Sequence, residues 1–349
     1  MQSIDGTARS PADPGVFTRR FTLRPPVAGS PSAGGDPATS PPRYTRRVRT
    51  STESRLVPEA EWRAAERAHR ERADALSAAH RDRRRLGASH PVEDFLWTYY
   101  SMKPGELARW HPGSGLRLAG AGRERGGWRY YRSRGADAEL DLAGFFAKRG
   151  GTVDYVERLL AATLAHPPRF ACFGLHEWAM VYRMTPEQLR HAALPLRIGH
   201  AATDRVVEEH PIACSHFDAY RFFTPEAAPL NALRPSREAQ PELEQSGCLH
   251  AGMDVYKWAG KLGPIVPGEV LLDAFVLARD IREVDMRASP YDVRGWAGAD
   301  GVPLAPIPIE EPEGKRAYAR LQRGFAARGD ALRVRVLDAI GAARAALVA

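Results

Sequence analysis

Four proline-free stretches carry the strongest helical pattern of this chain, one opening its ordered part and three in its second half: 59–86, 248–262, 268–287 and 313–348. Each is long enough for several helical turns, and apolar residues recur along one side at helical spacing. A chain built this way points to a mainly helical fold. The first stretch carries the expected punctuation. Pro58 suits the first turn, Glu59 and Glu61 sit at the positive end of the helix dipole, and Arg81, Arg83, Arg84 and Arg85 gather at the other end.

Shorter elements fill the rest. The pattern predicts helix over 91–101, with Phe95, Leu96, Tyr99 and Tyr100 on its apolar side, and another turn over 103–110 stopped by Pro112 and Gly113. Glycines mixed with Leu116, Leu118, Trp128, Tyr130 and Tyr131 predict a β-hairpin or irregular β segment over 113–134. Helices follow at 140–148, 152–165 and 174–184, with mixed short elements over 194–221. The expectation is a mainly α fold with a small β segment (α+β), in a single globular helical domain over 57–349. Residues 1–56 are rich in Pro, Gly, Ser and Arg and read as a disordered basic tail.

Charge argues less for nucleic acid than it first suggests. The formal net charge is +8, but 1–56 holds nine Arg against four acidic residues, which leaves about +3 for the remainder. Counterion release needs cations clustered on a docking face. No apolar run reaches membrane-spanning length and no secretory leader is evident, so a cytoplasmic protein without membrane contact is expected. Three cysteines in 349 residues do not make a disulfide framework.

Polar chemistry gathers between Cys172 and Asp292. His176 and Glu177 are adjacent; His216 and Asp218 lie beside Arg221, Phe222 and Phe223; His250 and Asp254 are four apart and share a helix face. His90 and Asp94 repeat that spacing. Each cysteine has a histidine close by: Cys172 with His176, Cys214 with His216, Cys248 with His250. Thiolate and imidazole are zinc ligands, although the spacing matches no zinc finger or ribbon, and small buried thiols beside core histidines are the plainer reading. Arg279, Asp280, Arg282, Glu283, Asp285 and Arg287 crowd one helix end, either as surface ion pairs or with a carboxylate aimed into a cleft. Phosphate-binding glycine loops, dinucleotide fingerprints, His-Glu-x-x-His and Gly-x-Ser-x-Gly are missing.

Several long strings resemble those of a bacterial family, frequent in actinobacteria, whose members carry the genome label 3-methyladenine DNA glycosylase. They are His90-Pro91-Val92-Glu93-Asp94-Phe95-Leu96, Trp110-His111-Pro112-Gly113, the run Phe173 to Arg183, Cys214-Ser215-His216-Phe217-Asp218, Arg221 to Pro225, and Gly247 to Asp254. The resemblance covers about 57–345. It implies a hydrolase of DNA repair that releases alkylated purines by base excision, with DNA as partner and no cofactor. Under that reading Asp254 or Asp218 activates water, with His250, His216, His176 and Glu177 nearby. Trp178, Tyr182 and Phe222 then stack on the base, and Arg221 and Arg287 help to bind it.

The residues by themselves favour another class: a helical enzyme acting on a small molecule through a divalent metal, Fe, Mn or Zn, held by His176, His216 and His250 with carboxylate help. A non-enzymatic ligand-binding protein is the third reading. Convergence of His176, His216, Asp218, His250 and Asp254 would support any of them.

Overall fold

The computed structural model describes residues 54–100, 102–189, 191 and 194–348. The expected disordered tail falls on residues outside these, apart from its last three positions. The described chain is mainly helical. In order it runs β1 (Arg55–Val57), α1 (Glu59–Arg85), α2 (Phe95–Tyr99), α3 (Pro104–Leu107), β2 (Leu116–Leu118), α4 (Gly122–Arg125), β3 (Tyr131–Arg134), β4 (Asp137–Leu140) and α5 (Leu142–Ala165). It continues with α6 (Leu175–Ala179), α7 (His200–Glu209), α8 (Phe217–Tyr220), α9 (Gln240–Leu243), α10 (Leu249–Leu262), α11 (Gly268–Ala288) and α12 (Pro312–Leu347). No helix among the described residues is long and apolar enough to cross a membrane.

Helices α10 and α11 form the centre. Their apolar residues, among them Met253, Val255, Tyr256, Leu272, Phe275, Leu277 and Ile281, are buried together with residues of α5 and α12. The approach of the two helices is close at Gly252, where a Cβ would stand 2.7 Å from Ile281 Cδ1. The core is dominated by such aliphatic contacts, each fully buried side chain contributing about 1.5–3 kcal/mol.

The sheet is small and off to one side. Its order is β1-β2-β4-β3, with β1 parallel to β2 and the other pairs antiparallel. Arg55 and Leu56 therefore belong to the sheet, and order begins slightly earlier than the expected 57. Long-range pairing with 116–118 sets this boundary, and composition does not record it. The 113–134 segment also differs from a plain hairpin, because the turn α4 interrupts it. Arg125 explains why. Its guanidinium is buried, stacks 4.3 Å from the Trp128 ring centroid, pairs with Glu66 at 2.6 Å and donates to Trp110 O.

Two helices expected at 140–148 and 152–165 are one, α5, running through Gly150 and Gly151. A Cβ at either glycine would meet nothing within 4 Å, so the pair costs helix propensity without forcing a break. Asp141 caps the N-terminus by accepting from Gly144 N at 3.0 Å.

Candidate metal centre

His176 and Glu177 sit on the short helix α6, and the backbone entering it is unusual. Phe173 and Gly174 both have positive φ, 47° and 76°, so the chain turns through two left-handed residues before α6 begins. Such a turn is strained for Phe and natural for Gly. It delivers His176 and Glu177, both buried, against α10 and α11. From α10 comes His250, in the first turn after Cys248; from α11 comes Asp285, fully buried near its end.

One ligand atom from each of His176, Glu177, His250 and Asp285 lies within 4.8 Å of all the others. His176 Nε2 is 3.0 Å from Asp285 Oδ1, and the His176 and His250 rings meet edge to face with centroids 4.5 Å apart. Arg282, also buried, reaches Glu177 Oε1 at 3.1 Å and stacks 4.0 Å from the Phe95 ring centroid. Two atoms in the set are buried and have no hydrogen-bond partner among the described residues, His250 Nδ1 and Asp285 Oδ2. Buried polar atoms are nearly always partnered, by protein or by ordered water.

Electrostatics separate the four. Burial works against a charged His176, yet Asp285 outweighs it and raises the imidazole well above its ordinary value. Burial, with the neighbouring His176 charge, drives His250 down to about 3, leaving it neutral. Burial pushes Glu177 up, opposed by Arg282 and aided by Asp285. The pull of His176 overcomes burial at Asp285 and holds its carboxyl below the usual range.

Beside this set lies a second polar layer. His216 Nε2 stands 3.4 Å from Asp254 Oδ2 and 3.5 Å from Glu244 Oε2, but neither contact is aligned as a hydrogen bond, and both ring nitrogens lack a partner. Lys257 joins Asp218 at 2.6 Å and Asp254 at 2.7 Å, and Tyr100 donates to Asp254 Oδ1 at 3.3 Å. Asp218 also meets Arg237 and Arg221, each at 3.2 Å. The His216 and His250 ring centroids are 5.5 Å apart, which connects the two layers.

The histidine and aspartate pairs singled out in the sequence therefore converge, but with different partners. His176, Glu177 and His250 join the four-residue set; His216, Asp218 and Asp254 stand one ring away. Asp285 takes the position expected of His216. His90 and Asp94 lie elsewhere, in a knot where Asp94 binds His80, Arg83 and the His90 backbone. Of the residues named for binding a base, Trp178 is fully buried with Nε1 donating to Ala288 O, and the Tyr182 hydroxyl donates to Glu208. Arg221 stacks on Phe222 at 4.3 Å, and Arg287 braces Ala305 O and Glu283. Sequence reasoning left out Glu244 and Lys257 altogether and placed Tyr100 only on the apolar side of a helix. It noticed Asp285 and Arg282 only as members of a charge run. Asp285, Arg282 and Lys257 share a signal that could have found them: charged residues at helical spacing on an otherwise apolar face.

All three cysteines line one cavity of about 60 Å³, together with His176, Gln245, Tyr318 and Gln322. Cys172 Sγ is 3.5 Å from His176 Nδ1. Burial raises Cys214 well above the ordinary thiol value, and the nearness of Cys172 and Cys248 raises it further. On the far side of Lys257 two adjoining clefts of about 310 and 290 Å³ share Arg109, His111 and Lys261.

Compared with known proteins, the chain matches no described family, no curated protein and no solved structure.

Proposed function

We propose that this protein is a metal-dependent enzyme acting on a small molecule, with one divalent cation held by His176, Glu177, His250 and Asp285. The observation that carries the reading is the convergence of these four donors within 4.8 Å, two of them presenting buried, unpartnered atoms. Two imidazoles and two carboxylates suit Fe(II), Mn(II) or Zn(II). Such an ion supplies Lewis-acid polarisation of a bound oxygen. The chain's own contribution is orientation. Arg282 fixes one Glu177 oxygen, and the left-handed turn at Phe173-Gly174 fixes α6.

Metal content of the purified chain, followed by titration of metal-stripped protein with Fe(II), Mn(II) and Zn(II), tests this reading. One equivalent should bind in the wild type, and His250→Ala or Asp285→Asn should weaken binding by tenfold or more. Absence of any stoichiometric binding would remove the proposal.

A second reading, release of an alkylated base from DNA, is supported by the clefts beyond Lys257. Arg109, Arg129, Arg149 and Lys261 line them, and none pairs with a carboxylate among the described residues. Aromatic rings of Trp128 and Tyr130 lie between these cations. Assay of methylated DNA for released base, with Asp254→Asn and Asp218→Asn as controls, decides it.

A further inference from the structure

The chain has three cysteines, from three separate segments, and all of them face one cavity. We propose that this cavity holds an iron–sulfur cluster bound by Cys172, Cys214 and Cys248. The site adjoins the four-residue cation set, sharing His176 in its lining, but its proposed ligands are three thiols outside that set.

Size and spacing select the occupant. A single water needs about 10–15 Å³ of such space, so a cavity of about 60 Å³ admits a group of several heavy atoms. A single tetrahedral ion at about 2.3 Å from each sulfur would draw the sulfurs to roughly 3.8 Å from one another. Among the described residues, no set of three ligand-type side chains that includes a thiol lies within 4.8 Å of one another. Three thiols that line one cavity roomier than a single ion needs fit a group in which each sulfur binds a different metal atom. An iron–sulfur cluster is that group, since its irons are held one by one by Cys thiolates. Three protein thiolates leave one iron of a four-iron cluster open to a small ligand.

The loops that carry the cysteines are held from behind by buried amides. Asn231 accepts from Cys214 N at 2.7 Å and donates to Cys214 O at 3.0 Å. Gln245 Oε1 accepts from Arg169 N and Gly247 N, each at 2.8 Å, so one side chain ties the segment before Cys172 to the segment before Cys248. Gln322, which lines the cavity, donates to Gly247 O at 2.6 Å, and its own Oε1 is buried without a partner among the described residues. Asn231, Gln245 and Gln322 are all buried. The thiols thus sit on backbone fixed before any ligand arrives, which is how a binding site is preorganised.

Assembly balances with two Fe(II), two Fe(III) and four sulfide ions. Each cysteine loses its proton as an Fe–S bond forms, and three protons leave in all. The adjoining cation set then lies one imidazole away, because His176 presents Nδ1 to Cys172 and Nε2 to Asp285.

The full chain, reduced and incubated without oxygen with ferrous and ferric iron and sulfide, is desalted and assayed for iron, acid-labile sulfide and visible absorption. Expected are about four iron and four sulfide per chain, with a broad sulfur-to-iron band that bleaches on dithionite reduction. Cys172→Ala, Cys214→Ala and Cys248→Ala should each reduce retention several-fold, while Asp285→Asn should keep the cluster and lose the divalent ion. That contrast separates failure of this site from failure of the cation site. In the loaded wild type the three thiols should also resist alkylation, which reports on the site without any substitution. The proposal is overturned if wild type retains no sulfide, if the triple Cys→Ala variant retains as much as wild type, or if one Zn(II) binds all three thiols in place of the cluster.

Discussion

Replacing Lys257 by Met tests how the second polar layer is held together. The ammonium lies between Asp218 at 2.6 Å and Asp254 at 2.7 Å, with its side chain only 12% exposed. Burying an ion pair brings little net stability, but removing one partner strands the other charge at a cost of about 3–5 kcal/mol. Asp218 keeps Arg221 and Arg237, and Asp254 keeps Tyr100 and the nearby His216, so the loss should fall near about 3 kcal/mol at neutral pH. The sign with pH follows from Asp254. The charge of Lys257 overcomes burial and holds this carboxyl well below its ordinary value, so its stabilisation is present above about pH 4 and disappears as pH falls through the folded value. The gap between wild type and Lys257→Met should therefore narrow in acid. Urea unfolding followed by circular dichroism between pH 7 and pH 3 measures it. The double variant Lys257→Met/Asp254→Asn should be more stable than the sum of the single losses by about 2 kcal/mol, since it leaves no stranded charge. A loss below about 1 kcal/mol for Lys257→Met, or strict additivity in the double variant, would refute the reasoning.

Other expectations concern the helices, the loops and acid behaviour. Gly150→Ala and Gly151→Ala should each stabilise α5 by about 0.5–1 kcal/mol, read as a higher denaturation midpoint, because the added methyl meets nothing within 4 Å. Gly247→Ala should do the reverse. Its Cβ would fall 2.3 Å from Arg169 O, a backbone atom, and the loss should reach about 1–3 kcal/mol in the same assay. His111 is held neutral, its value driven down to about 3 by burial and then by Arg125 and Arg109. The unfolded chain binds a proton there below about pH 6.5, so His111 removes roughly 1–2 kcal/mol of stability between pH 6.5 and pH 5. His111→Asn should flatten that part of the pH profile in unfolding experiments.

Much of the architecture could be read from residue order, because the large helices are local objects. Pro58, the acidic first turn and the basic last turn mark α1 within a residue or two of its observed bounds. Alternation of apolar and polar positions also placed α10, α11 and α12. Non-local pairing was not legible. Residues Arg55 to Val57 become a strand only because Leu116 to Leu118 lie beside them. The fate of the Gly150-Gly151 pair depends on the empty space around it, which no local pattern records. At the site, histidine spacing identified His176 and His250, since imidazoles on apolar helices are rare enough to stand out. Asp285 was harder to see, because it is embedded in a run of charges whose other members, such as Asp280 and Glu283, face Arg328 and Arg287 at the surface. His216 looked equivalent to its neighbours in sequence, yet α8 and α10 set it against Asp254 and Glu244.

Tyr318 and Gln322, which wall the thiol cavity, both belong to α12, the element that follows every other contributor in chain order. During synthesis the cysteines, His176, His250 and Asp285 all emerge before this helix can dock. The interior therefore passes through an interval in which its cysteine-bearing loops are complete and its wall is missing. Whatever the cavity takes in can be loaded in that interval. Docking of α12 then adds the last wall of the cavity.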